Sequence, residues 1–498
     1  AVSAALTEAG LPVRIYSLKR CRDRIVHPDA QRLVAQTTYV AWDDPVVWVA
    51  GLGQLVRHPV AAARGLAWVL RYHGWPPATL ARGLIVWLQA LALTPTLRQA
   101  GATHLHAHWA TMPTTAAVLA SGWLGIPFSF TAHAWDLFVR NPSLRAKVRL
   151  ARRVITCTEY NRRYLTHVCP EARRKIVLNY HGVDVARFKP LSDRPEGDAR
   201  SAPLLLSVGR LVTTKGFETL LEAYRLLQER GVRFTAIIVG QGPLRRALAR
   251  RISALGLSDV VTLRPAMSQP QLTQLYAHAF AFVLPSVVAE DGDRDGIPNV
   301  ILEAMAMRLP IISTTVSGIP EAVQDRRNGL LVPQHHPGLL ADTISSLTAN
   351  HSWATLLGNH GRMWVDTQFC TQDHMSRFVR QMEEMVSTKP PVRILHVIWS
   401  LGVGGAERLV IRLAGGLDRR RFEPLVVCLN EPGPGAWEAR RHGIPVLTLR
   451  KRPGIDARLL WRLAGLMRRE RIRIVHTHLW GASTWGRVAA WMAGVPVI

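Results

Sequence analysis

The chain has 498 residues, 48% of them hydrophobic, with 62 Lys+Arg against 35 Asp+Glu and a formal net charge of +27. That length exceeds one ordinary domain and points to roughly three; the apolar fraction is ample for several cores, which excludes bulk disorder. Five cysteines (Cys21, Cys157, Cys169, Cys370, Cys428) form no C-x-x-C pair, which argues against a zinc site or a disulfide framework and for free thiols in a reducing cytosol.

In chain order, the sequence opens in a helical pattern, AVSAALTEAG, without a secretory signal. The short β-rich runs LPVRIYSL, THLHAHW, PFSFTAH, RVITCT and KIVLNYHG follow, separated by helical stretches such as TTAAVLASGWLG. Such alternation predicts a parallel sheet with helices on both faces. Residues 45–95 are Trp-rich and punctuated by Arg, and their longest apolar runs, PVVWVAGLGQLV and GLIVWLQALAL, fall short of a bilayer span. Amphipathic helices there can lie on a membrane face; a helical layer packed on the sheet is the preferred reading.

A second α/β set follows. PLLLSVGRL, FTAIIVGQG, VVTLRPA, AFVLPS and PIISTTV read as strands, with helices such as GFETLLEAYRLLQERG and NVILEAMAMRL between them. HMSRFVRQMEEMV reads as a closing helix and STKPP, residues 387–391, as a linker. The pattern then restarts with VRILHVIWSLGVGGAERLVIRLAGGL: a strand, a Gly-rich loop and a helix. The expected organisation is α/β throughout. An amino-terminal Rossmann-like domain covers 1–185 and a second covers 186–372. The closing helix takes 373–388, and 389–498 form the linker and a partial third domain.

The third part repeats the first. His106-Ala-His108 matches His476-Thr-His478, and Gly125-Ile-Pro matches Gly494-Val-Pro. By this repeat the first unit lacks its own first strand and Gly-rich loop, and the second stops mid-sheet. The chain reads as a nearly complete two-domain unit joined to the opening of another, as a gene fragment or adjoining reading frames would give. A lesser alternative has residues 389–498 supplying the missing sheet edge of the first unit.

The chemistry concentrates at two stretches. In LLLSVGRLVTTKGFETLLEA a buried strand ends near Gly209, and Arg210 and Lys215 occupy the loop at its carboxyl end, where open α/β sheets bind ligands. Two cations there suit a diphosphate; solvated surface cations are the plainer alternative. In EDGDRDGIPNVILEAMA, Gly296-Ile297-Pro298 precede a helix from about Asn299. Its free N–H groups and dipole would face the phosphates. Asp295 and Glu303, eight positions apart, can bracket a polyol. Asp291-Gly-Asp293 has the form of a metal-binding D-x-D, but Arg210 and Lys215 already supply countercharge, so no metal is expected. Glu290, Asp291 and Asp293 read as a solvated loop or an acceptor contact.

The segments SVGRLVTTKGFETLLEA, IIVGQGPLRRAL, LPSVVAEDGDRDGIPNVILEAMAMRLPIISTTVSGIPEAV and NGLLVP resemble glycosyltransferase family 4, of the GT-B architecture. HLHAHWATMPTT and LGIPFSFTAHAWDLF resemble the amino-terminal half of its colanic-acid-type exopolysaccharide members, and residues 391–498 resemble the start of another family 4 enzyme. The resemblance implies a retaining, metal-independent transfer from a nucleotide-sugar, which is a substrate and not a cofactor. The family's Glu-x7-Glu signature falls on Asp295 and Glu303. By analogy Glu303 holds the nucleotide ribose and Asp295 a sugar hydroxyl, while Arg210 and Lys215 stabilise the departing diphosphate. His133 in FTAHAWD would sit across the cleft, near sugar and acceptor. Two departures stand out. Asp295 is one methylene shorter than the family's Glu, and the first unit lacks the family's Gly-rich loop, for which Gly402, Gly404 and Gly405 of the second unit are a match.

The partners implied are a nucleotide-sugar, a lipid-linked saccharide acceptor and an anionic membrane surface, with the protein peripheral on the inner cytoplasmic face. Nucleic acid is not expected: the basic residues are scattered in pairs and triplets, without the aromatic spacing of a single-strand binder. The rival readings are a nucleotide-sugar epimerase or a phosphorylase on the same architecture, and a non-catalytic, membrane-associated scaffold built on a degenerate transferase.

Overall fold

The computed structural model describes residues 2–20, 33–74, 76–190, 202–386, 392–419, 421–452, 454, 456–470 and 472–498. Cys21 and the expected linker at 387–391 lie outside the described residues. The chain divides into two compact units, Ala1–Met382 and Glu383–Ile498.

The carboxyl half of the first unit is built on one six-stranded parallel sheet. Its strands are β7 (Leu204–Val208), β8 (Thr235–Val239), β9 (Val261–Arg264), β10 (Ala281–Leu284), β11 (Ile311–Thr314) and β12 (Leu330–Val332), in the order β12-β11-β10-β7-β8-β9. The central strands are buried runs of aliphatic residues; β10 and β11 are buried at every position. That is what a sheet covered by helices on both faces requires. The direction of winding reverses between β7 and β10. Their carboxyl ends therefore diverge and leave a crevice, the usual ligand position in an open α/β sheet.

The amino half begins with helix α1 (Val2–Glu8). It carries a two-stranded sheet, β1 (Ile15–Ser17) with β2 (Thr37–Tyr39), and a four-stranded parallel sheet, β3 (Leu105–His108), β4 (Phe128–Ala132), β5 (Arg153–Thr156) and β6 (Ile176–Leu178). Both rest on a helical layer. Its members are α2 (Pro45–Arg57), α3 (Pro59–His73), α4 (Pro77–Gln99) and α5 (Met112–Leu124). Tyr16 of β1 and Leu105 of β3 pack into the same cluster around Leu93, Leu97 and Ala120. Gly51 of α2 and Gly83 of α4 permit close crossings: a Cβ would stand 2.7 Å from Leu88 Cγ at Gly51 and 2.8 Å from Val69 Cγ1 at Gly83.

The apolar runs in this layer belong to longer helices than the sequence suggested. α4 has 23 residues and is long and apolar enough to cross a membrane, yet half of its most apolar window is buried within the protein. Gln89 at its centre donates its amide protons to the carbonyls of Leu18 and Val40. Trp87 and Trp123 donate to the carbonyls of Ala62 and Ala61 on α3. Polar groups held in this way mark α4 as the core helix of the layer, as preferred from the sequence.

The two halves are laced by backbone pairing. Val183 N–H donates to Phe369 O at 2.8 Å, and Thr371 N–H donates back to Val183 O at 3.1 Å. Helices α6 (Ala134–Phe138), α7 (Phe217–Glu229) and α8 (Asn299–Ala306) precede α9 (Thr371–Val386), which returns to the amino half, where Phe378 meets His106 edge-on at 5.5 Å.

The second unit contains β13 (Val392–Ile398), β14 (Phe422–Cys428), β15 (Val446–Thr448) and β16 (Ile474–Thr477), in the order β15-β14-β13-β16. Here β13 lies between β14 and β16, and the Gly-rich loop at its carboxyl end leads into α10 (Gly405–Gly416). The H-x-H of β16 corresponds to that of β3. In the first unit, the strands on either side of the matching position, β1 and β3, belong to separate sheets.

Candidate active site

The crevice between β7 and β10 is lined by two interlocked loops. After β7 the chain runs through Gly209 and Arg210 into a short turn, Thr213–Lys215, and then α7 (Phe217–Glu229). Gly216 joins the turn to the helix at φ +65, where a Cβ would also collide with the Pro285 carbonyl oxygen. Only glycine meets both conditions at low cost. Val287 N–H donates to Thr214 O at 2.9 Å, which fixes the post-β10 loop against the turn. The second loop then carries Asp295, Gly296, Ile297 and Pro298 to α8 (Asn299–Ala306), with Pro298 as its N-cap residue, a position that donates no N–H.

The side chains expected to share a ligand are held together, though not as separate sets of cations and acids. Lys215 Nζ meets Asp295 Oδ1 at 2.8 Å, with the two side chains 14% and 18% exposed. Ser286 Oγ donates to Asp295 Oδ2 at 3.0 Å. Asp295 is thus engaged on both oxygens, and a diphosphate would compete with it for Lys215. Arg210 is exposed on the same edge, and its charge acts on Asp293. A Cβ at Gly209 would lie 3.4 Å from the Lys215 side chain, an ordinary van der Waals contact, so the lysine chain passes directly over this residue.

Glu303 lies on α8, eight positions beyond Asp295 and just over one turn into the helix. It accepts a hydrogen bond from the Tyr276 hydroxyl at 3.0 Å. Burial raises its pKa, with the Tyr276 bond opposing the shift. A carboxylate so placed is ready for one further donor, such as a ribose hydroxyl.

His133 comes from the facing half. It ends β4 and caps α6 (Ala134–Phe138), and its backbone N–H donates to Asp136 Oδ1 at 2.6 Å. Its ring lies 4.7 Å from Trp109 and 5.2 Å from His181. Burial holds the imidazole down at about 3, with His181 and His108 adding to the effect, so it is neutral at physiological pH. The two halves meet beside it. A Cβ at Gly296 would lie 3.3 Å from Thr158 Cγ2 and 4.0 Å from Ala134 Cβ, the residue next to His133. Gly296 therefore brings the acid-bearing loop up to the end of β4, and the two motifs, 162 positions apart, share one cleft.

Several residues of this cleft were not picked out from the sequence. Asp136 is fully buried and accepts from the N–H groups of Ala110 and His133. Lys147, also buried, donates to the carbonyls of Ala110 and Thr111 at 2.8 and 2.9 Å. Together they fix the Trp109–Thr111 turn, where Trp109 takes φ 79, against His133. Glu321 spans the cleft and accepts from Glu159 N–H at 2.7 Å, Tyr160 N–H at 2.8 Å and the Tyr180 hydroxyl at 2.9 Å. Asp136 and Glu321 stood within quoted motifs, FTAHAWD and SGIPEAV, but nothing local separates a cross-cleft acid from a solvated one. The loop read as solvated also touches the opposite half: Arg294 stacks on Phe138 at 4.3 Å and donates to the Tyr160 hydroxyl at 3.1 Å. Asp293 there is part-buried, and burial raises its pKa.

Among the described residues, two clusters have the composition of a metal site. His133, Cys157 and His181 bring ligand atoms within 4.8 Å of one another, but burial pushes the Cys157 thiol up to about 12, which disfavours the thiolate a metal needs. In the second unit, His396, His476 and His478 cluster similarly, and a His396–His478 hydrogen bond of 3.0 Å accounts for that approach. There the Gly402, Gly404 and Gly405 loop starts α10, and Glu407 folds back over Gly404. The described cysteines Cys157, Cys169, Cys370 and Cys428 are free thiols.

The profile described as Glycosyltransferase Family 4 matches residues 3–187 and again 403–498, and that described as Glycosyl transferases group 1 matches 202–350. The chain is 40% identical over 181 residues to the putative colanic acid biosynthesis glycosyltransferase WcaL of Escherichia coli, covering 36% of this chain and 43% of the relative. It is 35% identical over 219 residues to the amylovoran biosynthesis glycosyltransferase AmsK of Erwinia amylovora, covering 44% and 51%. The chain thus spans about half, or less, of the length of these relatives. A glycosyltransferase structure from Rickettsia africae superimposes with a TM-score of 0.52 at 18% identity, over 61% of this chain and 83% of that one. Anabaena HepE in complex with UDP gives 0.50 at 18%, over 58% and 81%. These two likenesses establish the GT-B fold. With the family profile matching both the opening of the first unit and most of the second, and a group 1 transferase domain between them, the chain belongs to glycosyltransferase family 4.

Proposed function

We propose that the first unit transfers a sugar from a nucleotide-sugar to a lipid-linked or saccharide acceptor during assembly of a cell-surface polysaccharide. The observation that carries this reading is the Lys215–Asp295 pair at the crevice between β7 and β10, facing His133. Lys215 and Arg210 are the cations for a leaving diphosphate, whose charge grows in the transition state. Glu303 takes the ribose, and Asp295, released from Lys215 as the phosphates arrive, takes a sugar hydroxyl. Neutral His133 donates or accepts a hydrogen bond at the sugar without adding charge.

In this reading the transfer retains anomeric configuration and uses no metal, because Lys215 and Arg210 supply the countercharge. Relatives named for polysaccharide synthesis support the acceptor class, and the net charge of +27 fits a protein peripheral to an anionic membrane. The names of similar proteins include both UDP and GDP-mannose, so the base is a matter for measurement. Calorimetric titration of the full chain with UDP, GDP and ADP, with and without chelator, tests the proposal. Base-selective binding that survives chelation and is lost in Lys215→Ala and Glu303→Ala supports it. No binding to any of the three by folded protein refutes it.

A further inference from the structure

Helix α2 is apolar on two faces. One face, Val47, Gly51 and Gln54, packs into the protein against α4. The opposite face carries Val46, Val49, Leu52 and Val56, which are 73%, 72%, 52% and 81% exposed. The spacing of three and four residues places them on one helical stripe. Trp42, just before the helix, and Val60, at the start of α3, are also exposed, at 50% and 63%. Exposed aliphatic side chains gathered on one helical stripe mark a candidate interaction surface.

The charge of this helical layer selects the partner. Helices α2, α3 and α4, residues 45–99, contain no Asp or Glu, yet they present exposed Arg57, Arg64, Arg71, Arg82 and Arg98. The nearest described acids before α2 in the sequence are Asp43 and Asp44. Asp44 is occupied in capping the helix through Val46 N–H and in pairing with Arg20 at 2.9 Å. An exposed aliphatic stripe on helices that carry exposed arginines and no acid suits the interface of an anionic lipid bilayer, where the aliphatic side chains enter the acyl boundary and guanidinium groups meet lipid phosphates.

We propose that the exposed face of α2, together with Val60 of α3, is the membrane-docking surface of this protein and that its ligand is an anionic bilayer. The proposal names the surface by which the transferase proposed above would reach a lipid-linked acceptor, and it rests on that reading only for its purpose.

Sedimentation of the full chain with phosphatidylcholine vesicles, with and without phosphatidylglycerol, tests it. Val49 and Val56 have open surroundings, so the Val49→Asp/Val56→Asp variant leaves the core intact, which circular dichroism verifies. The expected result is salt-sensitive binding to phosphatidylglycerol vesicles that falls at least about tenfold in this variant. Arg57→Gln/Arg64→Gln should lessen the phosphatidylglycerol and salt dependence. Equal binding by wild type and the valine variant, or no binding by wild type, overturns the proposal. Wild-type self-association that the valine variant abolishes, without vesicle binding, would reassign the stripe to a second copy of the chain. Nucleotide titration of the same samples reads out the transferase site separately, so either reading can fail alone.

Discussion

Replacing Lys215 separates the structural part of the Lys215–Asp295 pair from its ligand-binding part. Two unit charges 2.8 Å apart attract by about 6 kcal/mol at an effective dielectric of about 20. Most of that is offset by the desolvation of both groups at 14% and 18% exposure. Lys215→Ala leaves the Asp295 carboxylate with only the Ser286 hydroxyl, at a cost of about 1–3 kcal/mol. In Lys215→Ala/Asp295→Ala no orphan charge remains, and most of that stability should return. Nucleoside diphosphate binding should not return, because the cation that would meet the phosphates is still absent. Urea denaturation measures the first quantity and calorimetry the second. If the double variant binds diphosphate as wild type does, Lys215 is not a phosphate ligand; if it is as unstable as Lys215→Ala, the orphan-charge account is wrong.

Gly216→Ala should destabilise by more than about 2 kcal/mol, since it combines φ +65 with a collision at the Pro285 carbonyl, and thermal melting would show it. Gly296→Val should leave the fold intact but force the acid-bearing loop away from Thr158 and Ala134, lowering kcat/KM for transfer far more than Gly296→Ala does. Glu321→Ala should cost about 2–4 kcal/mol by stranding the N–H groups of Glu159 and Tyr160, with Glu321→Gln intermediate, by urea denaturation. Burial holds His73 and His104 neutral, with folded pKa values of about 4 against an ordinary 6.5. The unfolded chain binds protons first as pH falls. Stability present above about 6.5 should therefore decline by up to about 1.4 kcal/mol per pH unit for each group until about 4, and His73→Phe should flatten that slope in an acid titration.

The alternation of buried strands and helices, the repeat of H-x-H and G-x-P, and the placing of Arg210, Lys215 and Asp295 on the loops after two strands, with Glu303 on the helix that follows, were all legible in the sequence. They depend on local periodicity and on turn residues, which act within a few positions. The rest needed the tertiary structure, because it concerns which group receives each proton. Lys215 and Asp295 are 80 positions apart and looked like a cation for phosphate and an acid for sugar; their 2.8 Å contact makes each the other's partner. Glu321 carried no local signal in the sequence, and only the facing half supplies its three donors, 141 to 162 residues away. The valines of α2 formed one apolar run in the sequence, and only packing against α4 decided which were core and which faced outward. Composition and spacing determine what a segment can become, whereas burial and hydrogen-bond pairing are properties of the neighbours that folding brings to it.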